Sequence, residues 1–193
     1  MNRYLPVLFI GVALVAGCDR RDVPENQPTP QPTSVGEDPE TPAEPVAPAG
    51  PTADDSLALG LLGAVNKHEI AAAQQAMGKN VSAPVLAYAE RMDKEHGENQ
   101  ARTESLGTLA STPEVQAMVD KSQRELQTLG EKSGEAYEAA YVDAMVTGHT
   151  EALSLIDGRL LALASAEPVR QHLTETRDHV AMHLEAAKKL QGR

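Results

Sequence analysis

The sequence predicts an all-α domain, a four-helix bundle with one extra short crossover helix, set behind a disordered tether. Three observations carry this expectation. Apolar residues recur at steps of three and four in five long segments, the spacing of one face of a helix. No segment shows the period-two alternation of a strand. The residues left for a core are Ala, Leu, Val, Ile and Met, because the chain has no tryptophan and its single phenylalanine, Phe9, lies in the N-terminal leader.

The leader comes first. Arg3 is followed by the apolar run LPVLFIGVALVA, too short to span a bilayer as an ordinary helix, and this is the layout of a secretory signal. It ends in Val15-Ala16-Gly17-Cys18, which resembles the bacterial lipobox. The expected signal is therefore 1–17, with Cys18 taking the lipid. Cys18 is the only cysteine of the chain, so a monomer has no disulfide and no thiolate-bound zinc. Two or three acyl chains at about 0.8 kcal/mol per buried methylene give a nearly permanent anchor. The expected partner is the membrane, reached through that anchor, with the protein facing the periplasm. Asp19 resembles the inner-membrane retention signal of enteric bacteria and favours the inner over the outer membrane.

Residues 18–53 form the expected tether. Proline recurs through it, from Pro24 to Pro51, among Glu, Thr, Gln and Ala. Such a composition favours extended polyproline II over a packed core, and at roughly 3.1 Å per residue it reaches on the order of 100 Å. The remaining 54–193 are enough for one domain with a sizeable core. The formal charge of the chain is −11, and an acidic domain without a clustered basic face is a poor partner for nucleic acid.

Five helices are expected in that domain. The first runs from Asp54 to Gly78, with an acidic start. The second begins near Ser82, with Pro84 in its first turn, and ends near Ala110. STPE, Ser111 to Glu114, caps a third that stops at Gly130. The fourth follows Ser133 and runs to Ala164, and the fifth runs from Glu167 and Pro168 to Leu190. YAERMDKEH (Tyr88 to His96) and YVDAMVTGH (Tyr141 to His149) share the spacing Y-x-[DE]-x-M-x-x-x-H, which suggests a duplication or a shared packing role. If the third helix returns along the bundle, the second and fourth run parallel. Two antiparallel pairs joined by one long crossover is the ferritin-like topology.

Each long helix carries a polar interruption in its apolar stripe. The first reads Leu62, Val65, Glu69, Ala72, Ala76. The second reads Val85, Ala89, Met92, His96, Asn99, Thr103. In the fourth, His149 stands among Val142, Met145, Leu153, Ile156 and Leu160. In the fifth, His183 follows Val169, Leu173, Thr176 and Val180. At 1.5 Å per residue, His149 lies roughly 22 Å before its turn and His183 roughly 24 Å after it. Glu69 lies roughly 15 Å before its own turn and His96 roughly 20 Å after it, a mismatch of about one helical turn. Glu69, His96, His149 and His183 are therefore the candidate metal ligands. His68 and His172 are expected on the surface, and His179 shares a face with His183.

NKHEI (Asn66 to Ile70), MDKEHGEN (Met92 to Asn99), YVDAMVTGHTEAL (Tyr141 to Leu153) and HLEAAKKL (His183 to Leu190) resemble the bacterial family known as domain of unknown function 4142. The resemblance implies an exported, often lipidated, ferritin-like bundle with no assigned activity. It also places that family's characteristic Glu and three His on Glu69, His96, His149 and His183.

One carboxylate and three imidazoles suit zinc, copper, iron or nickel. A di-iron centre of this fold uses Glu-x-x-His on two helices, which the chain lacks. Met92 and Met145, each four residues before a histidine, read as core methionines before copper ligands. No G-x-S-x-G, phosphate loop or spare cysteine supports nucleophilic chemistry. The expected function is a lipid-anchored envelope binding module with a transition-metal site, ahead of a metal-using enzyme. The alternative is a structural or stress-related interaction protein whose polar core is a metal-free hydrogen-bond network.

Overall fold

The computed structural model describes residues 50–192. The leader, Cys18 and the Pro-rich segment as far as residue 49 lie outside the described residues. Five helices follow: α1 (Ala53–Met77), α2 (Ala83–Ser105), α3 (Pro113–Gly130), α4 (Gly134–Leu155) and α5 (Glu167–Gln191). Among the described residues there is no strand, and no helix is long and apolar enough to cross a membrane.

Local chemistry sets most of the boundaries. Thr52 caps α1 reciprocally with Asp55: the Asp55 N–H donates to Thr52 Oγ1 at 3.2 Å, and the Thr52 N–H donates to Asp55 Oδ2 at 2.8 Å. Thr112 caps α3 through Val115 N–H. Gly134 opens α4 at φ +56, a left-handed backbone that favours glycine.

One boundary and one helical turn differ from expectation. α2 stops at Ser105 and not at Ala110, because the following residues bond to α1 instead of continuing the helix. Ala110 N–H donates to Ser56 O at 2.9 Å. This approach needs Gly60, since a Cβ there would collide with the Ala110 carbonyl. The fourth helix reaches Leu163, as expected, but through a π-helical turn at Ile156–Leu160 and a last turn at Leu161–Leu163. The wider turn keeps Ile156, Leu160 and Ala164 buried at successive four-residue steps.

The chain directions follow from the contacts at the two ends. At one end Asp55 accepts from the Ser165 and Ala166 N–H groups at 2.8 and 3.0 Å, and Ala110 meets Ser56. At the other end Lys79 donates to Gly130 O, Ser82 donates to Glu138 and Gln191 donates to Asp143. Hence α1, α3 and α5 run one way and α2 and α4 the other. α1 with α2, and α4 with α5, form antiparallel pairs. α3 crosses over on the outside, against α1 and α4, so the ferritin-like bundle with a crossover helix is the observed fold.

The core has two apolar clusters. One gathers Ala72, Ala73, Met92, Tyr137, Tyr141 and Met145, and the other Leu59, Leu62, Ile156, Leu160, Leu173 and Val180. Met92 and Met145 are thus core methionines, as read. Along α1, α2, α4 and α5, the residues lying between the clusters include Asn66, Glu69, His96, His149 and His183, all buried. A polar layer divides the bundle.

Candidate metal centre

Three of the four expected ligands meet in that layer. The ring centroids of His96 and His149 are 5.7 Å apart, those of His96 and His183 5.2 Å, and those of His149 and His183 5.4 Å. One ligand atom from each lies within 4.8 Å of the others. The rings are at most 3 % exposed. The repeat spacing has its structural counterpart here. Parallel α2 and α4 bring His96 to His149, and likewise Tyr88 to Tyr141, with centroids 6.4 Å apart in an edge-to-face pair.

Every ring is held by one nitrogen. His96 Nδ1–H donates to Asn66 Oδ1 at 3.0 Å. The Asn66 amide is itself oriented, because its Nδ2 donates to Asn99 Oδ1 at 2.7 Å, and Asn99 Nδ2 donates to Thr176 Oγ1 at 2.7 Å. His149 Nδ1–H donates to the Met145 carbonyl at 2.7 Å. His183 Nε2–H donates to Glu95 Oε2 at 2.5 Å. Each acceptor fixes the tautomer, since a ring nitrogen facing an acceptor oxygen carries the proton. The opposite nitrogens, His96 Nε2, His149 Nε2 and His183 Nδ1, then carry lone pairs, and all three are buried with no hydrogen-bond partner.

The electrostatics disfavour the charged form of His96 and His183. Burial, followed by the neighbouring His149 and His183, holds His96 well below the usual imidazole range. Burial likewise brings His183 down to about 4, against the opposing pull of Glu95. Glu95 is pulled down to about 2, first by Arg91, whose Nε lies 2.8 Å from Oε1, and then by His183.

Glu69 does not join the three rings. It is buried, with Oε2 unpartnered, and its Oε1 lies beside Gly148. The turn-long mismatch in depth was real. Asn66 stands one turn earlier on α1, about 4.5 Å farther from the α1–α2 turn, at the depth of His96, and it is Asn66 that His96 meets. The carboxylate that touches the cluster is Glu95, which sequence reasoning passed over. Its position immediately before His96 turns it toward α5, and the i, i+4 spacing from Arg91 was the available sign of a held side chain.

His172 also departs from expectation. It is buried, and its Nε2–H donates to Thr103 Oγ1 at 2.9 Å while Thr103 donates to Asn99 O. The buried face of α5 takes in both His172 and Leu173, wider than the single stripe read from the sequence. His68 is half-buried, with its Nδ1 enclosed and unpartnered. His179 is exposed.

The chain matches the family Domain of unknown function (DUF4142) over residues 40–190. It belongs to that family. No curated protein and no solved structure matches it.

Proposed function

We propose that this protein is a lipid-anchored envelope module that binds one transition-metal ion through His96, His149 and His183. One observation carries the reading: three buried imidazoles offer ligand atoms within 4.8 Å of one another, and each, fixed by one nitrogen, keeps its second nitrogen buried and unpartnered. Metal-binding histidines are held by their other ring nitrogen in just this manner. In a metal-free core each such nitrogen would cost about 1–3 kcal/mol of unrepaid desolvation. Three neutral nitrogen donors suit zinc, copper, nickel or iron, with a further coordination position left for water or a ligand. A zinc ion with nitrogens at about 2.0–2.1 Å holds them about 3.3 Å apart, so small ring movements close the triangle.

Thermal unfolding with and without metal tests the site. Binding to the native state alone stabilises it by RT ln(1 + [L]/Kd), about 2.7 kcal/mol at a hundredfold excess over Kd. Zinc, cobalt or copper(I) should raise the midpoint of wild type, and His96→Leu, His149→Leu and His183→Leu should each abolish the gain. No rise with any of these ions rejects the site.

The anchor rests on Val15-Ala16-Gly17-Cys18. Labelled fatty acid should enter wild type and not Cys18→Ser; equal labelling of the two would reject the anchor.

A further inference from the structure

Glu69 and Gly148 are unexplained by the three-histidine site, and they face each other. Glu69 is 2 % exposed, yet its Oε2 has no hydrogen bond and its carboxylate has no ion pair. A Cβ at residue 148 would stand 3.1 Å from Glu69 Oε1, so the glycine leaves room for the carboxylate. Both residues line a cavity of about 410 Å³ between α1, α3 and α4, together with His68, Lys121, Glu125 and Glu151. An adjoining cavity of about 540 Å³ shares His68, Lys121, Glu125, Gly148 and Glu151.

The other charges of this cavity are paired. Lys121 Nζ lies 2.7 Å from Glu151 and 3.4 Å from Glu125, and Glu114 is held by Arg159. Exposed pairs of this kind are worth little and exchange readily. Glu69 is the carboxylate at the inner end that no cation satisfies. It stands one turn along α1 from Asn66, which holds His96, while Gly148 directly precedes His149. The cavity thus ends beside α4, which carries His149, and beside α1, which carries the Asn66 that holds His96. On the other side of the cluster, Glu95 is already engaged by both Arg91 and His183.

We infer that the cavity between α1, α3 and α4 is the route by which an aquated divalent cation reaches the three histidines, and that Glu69 is the carboxylate that receives it. This rests on the three-histidine site. A buried, unpaired carboxylate at the inner end of an acidic cleft concentrates cations, and such focusing raises association rates by about 10–10³-fold. Gly148 keeps that carboxylate free to face the cavity.

Stopped-flow mixing of cobalt(II) with the full metal-free chain tests this, read by the visible absorption of the bound ion. Glu69→Gln keeps the shape and removes the charge, and it should slow association at least fivefold. Gly148→Ala, which presses on the carboxylate and favours the helix, should slow it in the same direction and serves if Glu69→Gln fails to fold. Glu135→Gln, an equal charge change on an exposed α4 residue, should leave the rate unchanged. Wild-type association rates in both cavity variants, with cobalt still bound, would overturn the route and leave the site standing. Weaker binding carried wholly by faster dissociation would make Glu69 a ligand and equally overturn the route. No cobalt binding by wild type would remove both.

Discussion

His183 Nε2–H donates to Glu95 Oε2 at 2.5 Å, and Arg91 grips the same carboxylate from one turn earlier on α2. The pair ties α2 to α5 and leaves His183 Nδ1 buried and unpartnered, in a ring packed against His96 and His149. In the proposed site Glu95 would therefore be a positioning residue for His183.

Removing such an orienting partner typically weakens a metal site by about 10–100-fold. Glu95→Ala should lower zinc affinity within that range while leaving one site per chain. The same holds for Asn66→Ala, which frees the His96 ring. Competition with a fluorescent zinc chelator measures both, and affinities within twofold of wild type would show that the rings need no such support.

Acid should destabilise the metal-free protein from about pH 6.5 downward. Burial holds His96 and His183 below the usual imidazole range, so between that range and their folded values the unfolded chain binds more protons. Stability is then complete above the unfolded value and is lost as the pH falls through the folded one. His183 alone should contribute a loss of about 2 kcal/mol between pH 7 and pH 5. Below this, Glu95 adds a further loss as the pH falls from 4.5 toward about 2. Asp55 acts in the same direction: burial raises its pKa, but hydrogen bonds from Thr52, Ala166 and Ser165 outweigh that and hold it well below the carboxylate range. Urea midpoints that coincide at pH 7 and pH 5 would contradict this.

Two glycines should respond oppositely to alanine. Gly97 has nothing within 4 Å of an added Cβ, so Gly97→Ala should gain the helix propensity difference, about 0.8–1 kcal/mol. Gly60→Ala carries the same propensity gain but drives a Cβ into the Ala110 backbone, and it should lose stability. Denaturant unfolding of the two variants checks this, and a stabilised Gly60→Ala would mean that the 106–112 loop is free to move off α1.

The bundle was legible because each long helix writes its buried face in Ala, Leu, Val and Met, and because the Tyr-to-His repeat marks two parallel helices. The three histidines were legible as the polar breaks in those stripes. Glu69 was misplaced for a metric reason: the stripe shows which face is buried, but the ligand's height depends on where the turn falls. Asn66 sits at the right height and is buried, yet an amide in a stripe does not advertise a ring-holding role. Glu95 and His172 lie on the flanks of their stripes, where burial depends on the neighbouring helix and not on periodicity. The π-helical turn at Ile156–Leu160 left no sign in the spacing, since apolar residues at three- and four-residue steps read as an ordinary helix. The early end of α2 depended on the contact between Ala110 and Gly60, which joins residues far apart in the chain.

The central claim is that His96, His149 and His183 are a ligand set and not a packed polar layer. Titrating zinc into the full metal-free chain at neutral pH, with a free-zinc indicator, tests it most directly when wild type and His149→Leu are compared. The claim predicts one tightly held zinc per chain in wild type and none in the folded His149→Leu variant. Equal uptake by the two proteins, or no uptake by wild type, would contradict it.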